Sequence, residues 1–170
     1  RPWPESRCFS MQSSPDQETI KLTFAAKGKF TERMAAELVP GKAICVKLPY
    51  GDLFSTEHDK ERAVFIAGGT GLTPFLSLFT SVAFAAYREP KLYFGVRNAS
   101  NHLYAADLQK AAAVNPSFRC SVQNEEKDGR LDIKNIFTEN GPAAVYFISG
   151  PPVMIKTFKS SLAAEGVPAE

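Results

Sequence analysis

"AVFIAGGTGLTPFLSLF", residues 63–79, decides how the rest of this chain is read. A short apolar run, Ala63 to Ala67, leads into Gly68, Gly69 and Gly71, and Thr73, Pro74 and a longer apolar tract follow. An apolar run of this length closed by glycines reads as a buried strand. Proline suits the first turn of a helix, where its missing N–H is no loss. The stretch is therefore expected to be a strand, a tight turn and a helix. A helix start offers free N–H groups and partial positive charge to an anion such as a pyrophosphate. The spacing is neither GxGxxG nor GxxxxGK[ST], and a bare Gly-Gly-x-Gly also serves as a turn without any ligand, so other residues must decide.

No charged residue occurs from Ala63 to Tyr87, long enough to cross a bilayer. Three glycines, Pro74 and several Ser and Thr residues interrupt it, which favours a buried strand–turn–helix. The 170 residues, 44% hydrophobic and 22% charged, are those of a globular chain. A net charge of +2 with scattered Lys and Arg excludes a nucleic-acid partner. Cys8, Cys45 and Cys120 lie far apart, with no CxxC pair and no metal-ligand spacing. Free thiols and the polar, proline-broken "RPWPESR" opening lead to the expectation of a cytoplasmic protein.

Outward from the glycine turn the pattern alternates. "KLYFGV", "FRCSVQ" and "AVYFIS" read as strands, and "LYAADLQKAAA", "IKNIFTEN" and "PVMIKTFKSSLAAEG" as helical pieces, with a single helix expected from Pro74 to Tyr87. Strands separated by helices imply a parallel sheet covered on both faces, an α/β domain over 62–170. Before the charged linker "STEHDKER", residues 1–56 look β-rich. "ETIKLTF" and "AICVKL" alternate as half-buried strands, and a short helix is expected after an N-cap at Thr31.

"VYFISGPPVMIKTF" (145–158) repeats the strand–bend–helix logic. Together, "AGGTGLTP", "YFGVRN" and "SGPPVM", in this order, resemble the nicotinamide-binding domain of the ferredoxin–NADP reductase family. The resemblance covers essentially all of residues 62–168. It implies a Rossmann-like sheet in which Gly68, Gly69, Thr70, Gly71, Thr73, Pro74, Arg97, Asn98, Gly150, Pro151 and Met154 line the NADH or NADPH path. Ser149 stands where many relatives have cysteine, and the resemblance makes it and Ser10 the catalytic candidates.

In that family an antiparallel flavin-binding β-barrel precedes the sheet, with the signature Arg-x-aromatic-Ser, and residues 1–56 are expected to hold part of it. "RCFSM" supplies Arg7, Phe9, Ser10 and Met11, with phenylalanine where tyrosine is commoner. The resemblance implies that Arg7 pairs with flavin phosphate, Phe9 packs on the ring and Ser10 bonds near its N5. "GKFT", namely Gly28, Lys29, Phe30 and Thr31, resembles the second phosphate loop for FAD. The chain is expected to be part of a longer protein, because few residues precede Arg7 and the sequence stops at Glu170.

The resemblance implies a flavin-dependent NAD(P)H oxidoreductase that passes hydride to FAD and electrons to an iron–sulfur or haem partner. "SVQNEE" after the third strand carries acids where NADP-preferring relatives carry Ser-Arg, which favours NADH, unless Arg119 or Arg130 reaches the pocket. A nucleotide-binding module without turnover, or the soluble half of a membrane-bound or multi-domain reductase whose anchor lies in flanking segments, are the alternatives. His58 and His102 are expected to be solvated, and no metal site is expected.

Overall fold

The computed structural model describes residues 6–48, 50–51, 53–54, 56–98 and 103–168. Two compact units divide the chain: Arg1–Thr23 together with Asp59–Glu170, and Phe24–His58.

The larger unit is built on four parallel strands. These are β1 (Ala63–Gly68), β2 (Lys91–Val96), β3 (Arg119–Asn124) and β4 (Val145–Ser149), in the spatial order β3-β2-β1-β4. Central β1 is apolar throughout because both of its faces are covered. Successive side chains point to opposite faces of a sheet, so β1 feeds two different cores. Val64 and Ile66 pack with Ile133, Ile136, Phe158 and Leu162, from α5 (Ile133–Asn140) and α6 (Pro152–Ala164). Phe65 faces the other way. It meets Phe75 and Phe79 of α2 (Thr73–Phe79) edge-on at 5.3 and 4.9 Å, and stacks on Phe147 of β4 at 5.0 Å. Helix α3 (Ala105–Val114) packs beside α2, and a short α4 (Glu125–Asp128) follows β3.

The single helix expected from Pro74 to Tyr87 is two pieces. Helix α2 ends at Phe79, and a 3-10 stretch runs from Val82 to Ala86. The hydroxyls at the break account for it. Thr80 Oγ1 donates back to the Leu76 carbonyl at 2.7 Å, and Ser81 Oγ accepts from Ala83 N–H, starting a new turn. Buried Asn115 then donates to the carbonyls of Phe84 and Tyr87 at 2.9 and 2.8 Å, holding the tight conformation.

The expected strands at 18–24 and 43–48 do not form ladders among the described residues. Upstream of β1 the pairing consists of one antiparallel bridge, Met11–Leu22. Among its described residues the smaller unit holds one helix, α1 (Lys29–Glu37), with Ile44, Val46 and Leu48 exposed. Alternation marks residues that suit a pleated, half-buried surface, but a strand needs a bonded neighbour to become one. Helix α1 also starts earlier than expected, with Gly28 as N-cap. Thr31, expected to be the cap, sits inside the first turn, accepting from Lys27 N–H and donating to the Gly28 carbonyl. The expected division at 1–56 and 62–170 differs at its first part. Residues up to Thr23 join the α/β unit, where the Ser13 carbonyl accepts from Ser77 Oγ of α2 at 2.9 Å.

Phe65→Ala would empty the contact shared by α2, β1 and β4. A loss of about 3–5 kcal/mol is expected in urea unfolding of the chain.

Candidate functional site

From β1 the chain moves to β2 and then to β3, and it returns to β4 on the other side of β1. The strand order therefore reverses between β1 and β4, and in open parallel sheets ligands bind outside the carboxyl ends at such a point. The register places Ala67 opposite Ser149, so the two bends that follow, Gly68–Leu72 and Gly150–Pro151, begin side by side.

The bends interlock. A Cβ on Gly71 would stand 2.5 Å from the Ser149 carbonyl oxygen and from Gly150 Cα. A Cβ on Gly150 would stand 2.7 Å from Met154 Cε and 3.1 Å from Gly68 N, and one on Gly68 would stand 3.0 Å from Met154 Sδ and Pro151 Cδ. Gly71 is thus demanded by the backbone of the other bend, Gly150 also by its φ of +155, and Met154 and Pro151 fill the notch left at Gly68. Met154 also packs against the α5–α6 core.

Gly69 is different. It has φ +54, a conformation that side chains resist, and nothing lies within 4 Å of the place its Cβ would occupy. It is exposed, as is Thr70. Thr73 turns inward. It is buried, and its hydroxyl donates to the Thr70 carbonyl at 2.9 Å, fixing the turn from within. Pro74 lies in the first turn of α2.

The neighbouring strand ends carry polar groups. After β2, the Arg97 carbonyl accepts from Glu126 N–H, and Asn98 Nδ2 donates to Glu126 Oε1 at 3.4 Å. At the carboxyl end of β3, Gln123 Nε2 is shared among the carbonyls of Asp128, Gly129 and Arg130 at 3.0–3.2 Å. Glu125 Oε1 accepts from Arg130 Nε at 2.6 Å, and this bond holds the guanidinium more firmly protonated. Arg119 sits at the amino end of β3 and donates to the carbonyls of Pro116 and Phe118.

Arg7, Phe9, Ser10 and Met11 belong to the larger unit, and Gly28, Lys29, Phe30 and Thr31 to the smaller one. Arg7 and Ser10 are exposed, Phe9 and Met11 half-buried. Arg7 Nη1 donates to the Ser6 carbonyl. Gly28 opens the nine-residue helix α1, with nothing within 4 Å of its missing side chain. Ser149 is half-buried at the end of β4. His58 Nδ1 lies 2.8 Å from the Thr56 carbonyl, and His102 falls outside the described residues. Among the described residues no cluster of His, Cys, Asp or Glu could hold a metal, and no helix is long and apolar enough to cross a membrane.

Sequence reasoning weighed "SVQNEE", which contains Gln123 and Glu126, only for its acids, and gave Gly95 no separate role. A Cβ on Gly95 would meet the Leu131 side chain at 3.2 Å, and Gln123 and Glu126 tie together the lip around the ends of β2 and β3. No local pattern marks these contacts, since each is made to a loop brought in by the sheet.

Two interlocked glycine bends at a sheet's reversal point define a nucleotide-binding α/β domain. Residues 65–160, more than half of the chain, match the oxidoreductase NAD-binding domain family, and the chain belongs to that family. Methane monooxygenase component C of Methylosinus trichosporium is 29% identical over 131 residues, covering 74% of this chain and 38% of that protein. A flavohemoprotein of Chromobacterium violaceum is 25% identical over 189 residues, covering 98% of this chain and 46% of that protein. The chain thus spans less than half the length of these two relatives. Among solved structures, the flavohem-like FAD/NAD-binding domain of nitric oxide dioxygenase from Vibrio cholerae superposes with a TM-score of 0.74 at 18% identity, covering 95% of this chain and 73% of that one. The fold is that of the ferredoxin–NADP reductase-like domains.

Gly71→Ala drives a methyl into the Gly150 backbone, which cannot yield as a side-chain tip would. A loss of about 1–3 kcal/mol is expected in urea unfolding, together with weaker NADH binding by fluorescence titration. Gly69→Ala meets open space and is expected to lose only the dihedral strain, about 1–2 kcal/mol.

Proposed function

We propose that this chain is the nicotinamide-binding portion, with part of the flavin-binding portion, of an FAD-dependent NAD(P)H oxidoreductase that delivers electrons to an iron–sulfur or haem acceptor. The observation that carries the reading is the pair of interlocked bends at the reversal point of the sheet.

The residues suit both cofactors. For the nicotinamide dinucleotide, Gly69 and Thr70 offer exposed backbone beside the start of α2. In this reading Gly68, Gly71, Thr73, Pro74, Pro151 and Met154 shape that surface, Arg97 and Asn98 border it, and Gly150 lets the backbone pass close to the reactive ring. For FAD, the exposed Arg7 fork matches phosphate oxygens, and Phe9 covers a flat ring. Gly28 to Thr31 present the start of α1 to a second phosphate.

FAD, when bound, supplies a two-electron acceptor that can release electrons singly, and the protein supplies proximity and orientation. Ser149 sets a hydroxyl at the end of β4, where it orients the reactive carboxamide end of the nucleotide. Ser10 sets another beside the flavin, able to respond to a proton there. Partner choice follows relatives of this kind, one of which is by name a haem protein. The three free thiols, Cys8, Cys45 and Cys120, support a reducing, cytoplasmic setting.

The cofactor is NADH in this reading. Glu125, Glu126 and Asp128 surround the end of β3, where a 2′-phosphate would meet repulsion. Arg130 is already engaged by Glu125, and Arg119 lies at the opposite end of the strand.

The full-length chain supplied with FAD is expected to turn yellow and to bleach on anaerobic addition of NADH. A protein that stays colourless with added FAD yet binds NADH would favour a nucleotide-binding module instead. Rapid-mixing kinetics are expected to give kcat/KM at least about tenfold higher with NADH than with NADPH, and Glu126→Arg is expected to narrow that ratio.

A further inference from the structure

The segment that follows Ser10 is fastened to the α/β unit by a buried polar clasp. Gln12 is 3% exposed, and both ends of its amide are engaged. Its Nε2 donates to Asp107 Oδ2 of α3 at 2.8 Å, and its Oε1 accepts from Thr23 Oγ1. Lys21 Nζ reaches the same Asp107 oxygen at 3.3 Å. The backbone adds to this: Gln12 N–H donates to the Lys21 carbonyl at 2.8 Å, and Lys21 N–H to Ser13 Oγ at 3.0 Å. Further along, the Ser13 carbonyl accepts from Ser77 of α2, and Asp16 Oδ2 from Val82 N–H. Two helices and one turn of the nucleotide unit thus hold residues 12–16.

Only Met11 separates Gln12 from Ser10. At about 3.3–3.6 Å per residue, Ser10 can lie no farther than about 7 Å from Gln12 along the chain. Fixing Gln12 on α3 therefore confines Ser10 to its neighbourhood. Apolar packing would hold a segment as firmly but would let it slide. Directed hydrogen bonds to a carboxylate admit one register, and a buried amide left without them would be costly.

We propose that Gln12 and Asp107 are positioning residues for hydride transfer. Their clasp sets where the flavin-facing segment stands relative to the nucleotide bends, acting through Ser10 and Phe9 and touching neither cofactor. The proposal rests on the flavin reductase reading above. Misplacement by about 1 Å is enough to slow such a transfer by about a hundredfold.

The test uses the full-length chain and three variants: Gln12→Glu, Asp107→Asn and the two combined. Gln12→Glu sets two carboxylates against each other. In the combined variant the amide introduced at 107 donates to the carboxylate introduced at 12, so the bond returns with reversed polarity. Without FAD, hydrogen exchange of residues 11–16 is expected to rise in Gln12→Glu and to return towards wild type in the combined variant. With FAD, Gln12→Glu is expected to slow NADH-driven bleaching by about ten- to a hundredfold while the NADH dissociation constant stays within about twofold, and the combined variant to recover most of the rate. Unchanged bleaching in Gln12→Glu despite raised exchange would overturn the proposal. So would rate, affinity and melting temperature falling together in Gln12→Glu without recovery in the combined variant. A wild-type chain that never bleaches would defeat the reductase reading, and this proposal with it; normal wild-type bleaching with an indifferent clasp would defeat this proposal alone.

Discussion

Contact between Gly71 and the Ser149–Gly150 backbone is the constraint on which the rest of the site depends. A side chain at 71 would lie 2.5 Å from main-chain atoms that have nowhere to go. With glycine there, the loops after β1 and β4 close on each other, and the sheet's reversal point becomes a single surface of backbone. Met154 locks it from the α6 side by lying against both Gly68 and Gly150. Glycine usage in this turn therefore has two causes. Gly68 and Gly71 serve protein-to-protein contact, Gly150 combines contact with a φ that side chains resist, and Gly69 combines a left-handed backbone with open space.

That closure is possible because β1 is anchored on both of its faces. Val64 and Ile66 bind it to α5 and α6, while Phe65 joins α2 and β4 through three aromatic contacts. The strand ends are thus held where the bends must meet. The lip beyond β2 and β3 is a different material: Gln123, Asn124, Glu126 and Asp128 tie loops together by hydrogen bonds at the surface. Such a lip can vary in charge while the sheet stays the same, which is where discrimination between nucleotides is best located.

The parallel sheet was legible in the sequence because β1, β2 and β4 are largely apolar runs ended by turn residues, whereas the edge strand β3 is polar and mostly exposed. The helices that cover it were legible for the same reason, at the helical period. The break after Phe79 was not, because it depends on Thr80 and Ser81 hydroxyls and on Asn115, a residue distant in sequence. The strands expected upstream rested on alternation in Ile20–Phe24 and Ile44–Leu48, a pattern that records suitability for a ladder and says nothing of a neighbour. In the site, the glycines could be read, but the division of labour among them could not, since it follows from which atoms the fold brings within 3 Å. The Gln12–Asp107 bond joins residues far apart in the chain and left no local trace.

Backbone hydrogen exchange of the chain with and without saturating NADH tests the central claim most directly. If the two bends form one nucleotide grip, amides of 69–73 and of 149–150 with 153–154 should gain protection together, at the same NADH concentration. Protection confined to one bend, or appearing only elsewhere while both bends exchange as before, would contradict the account.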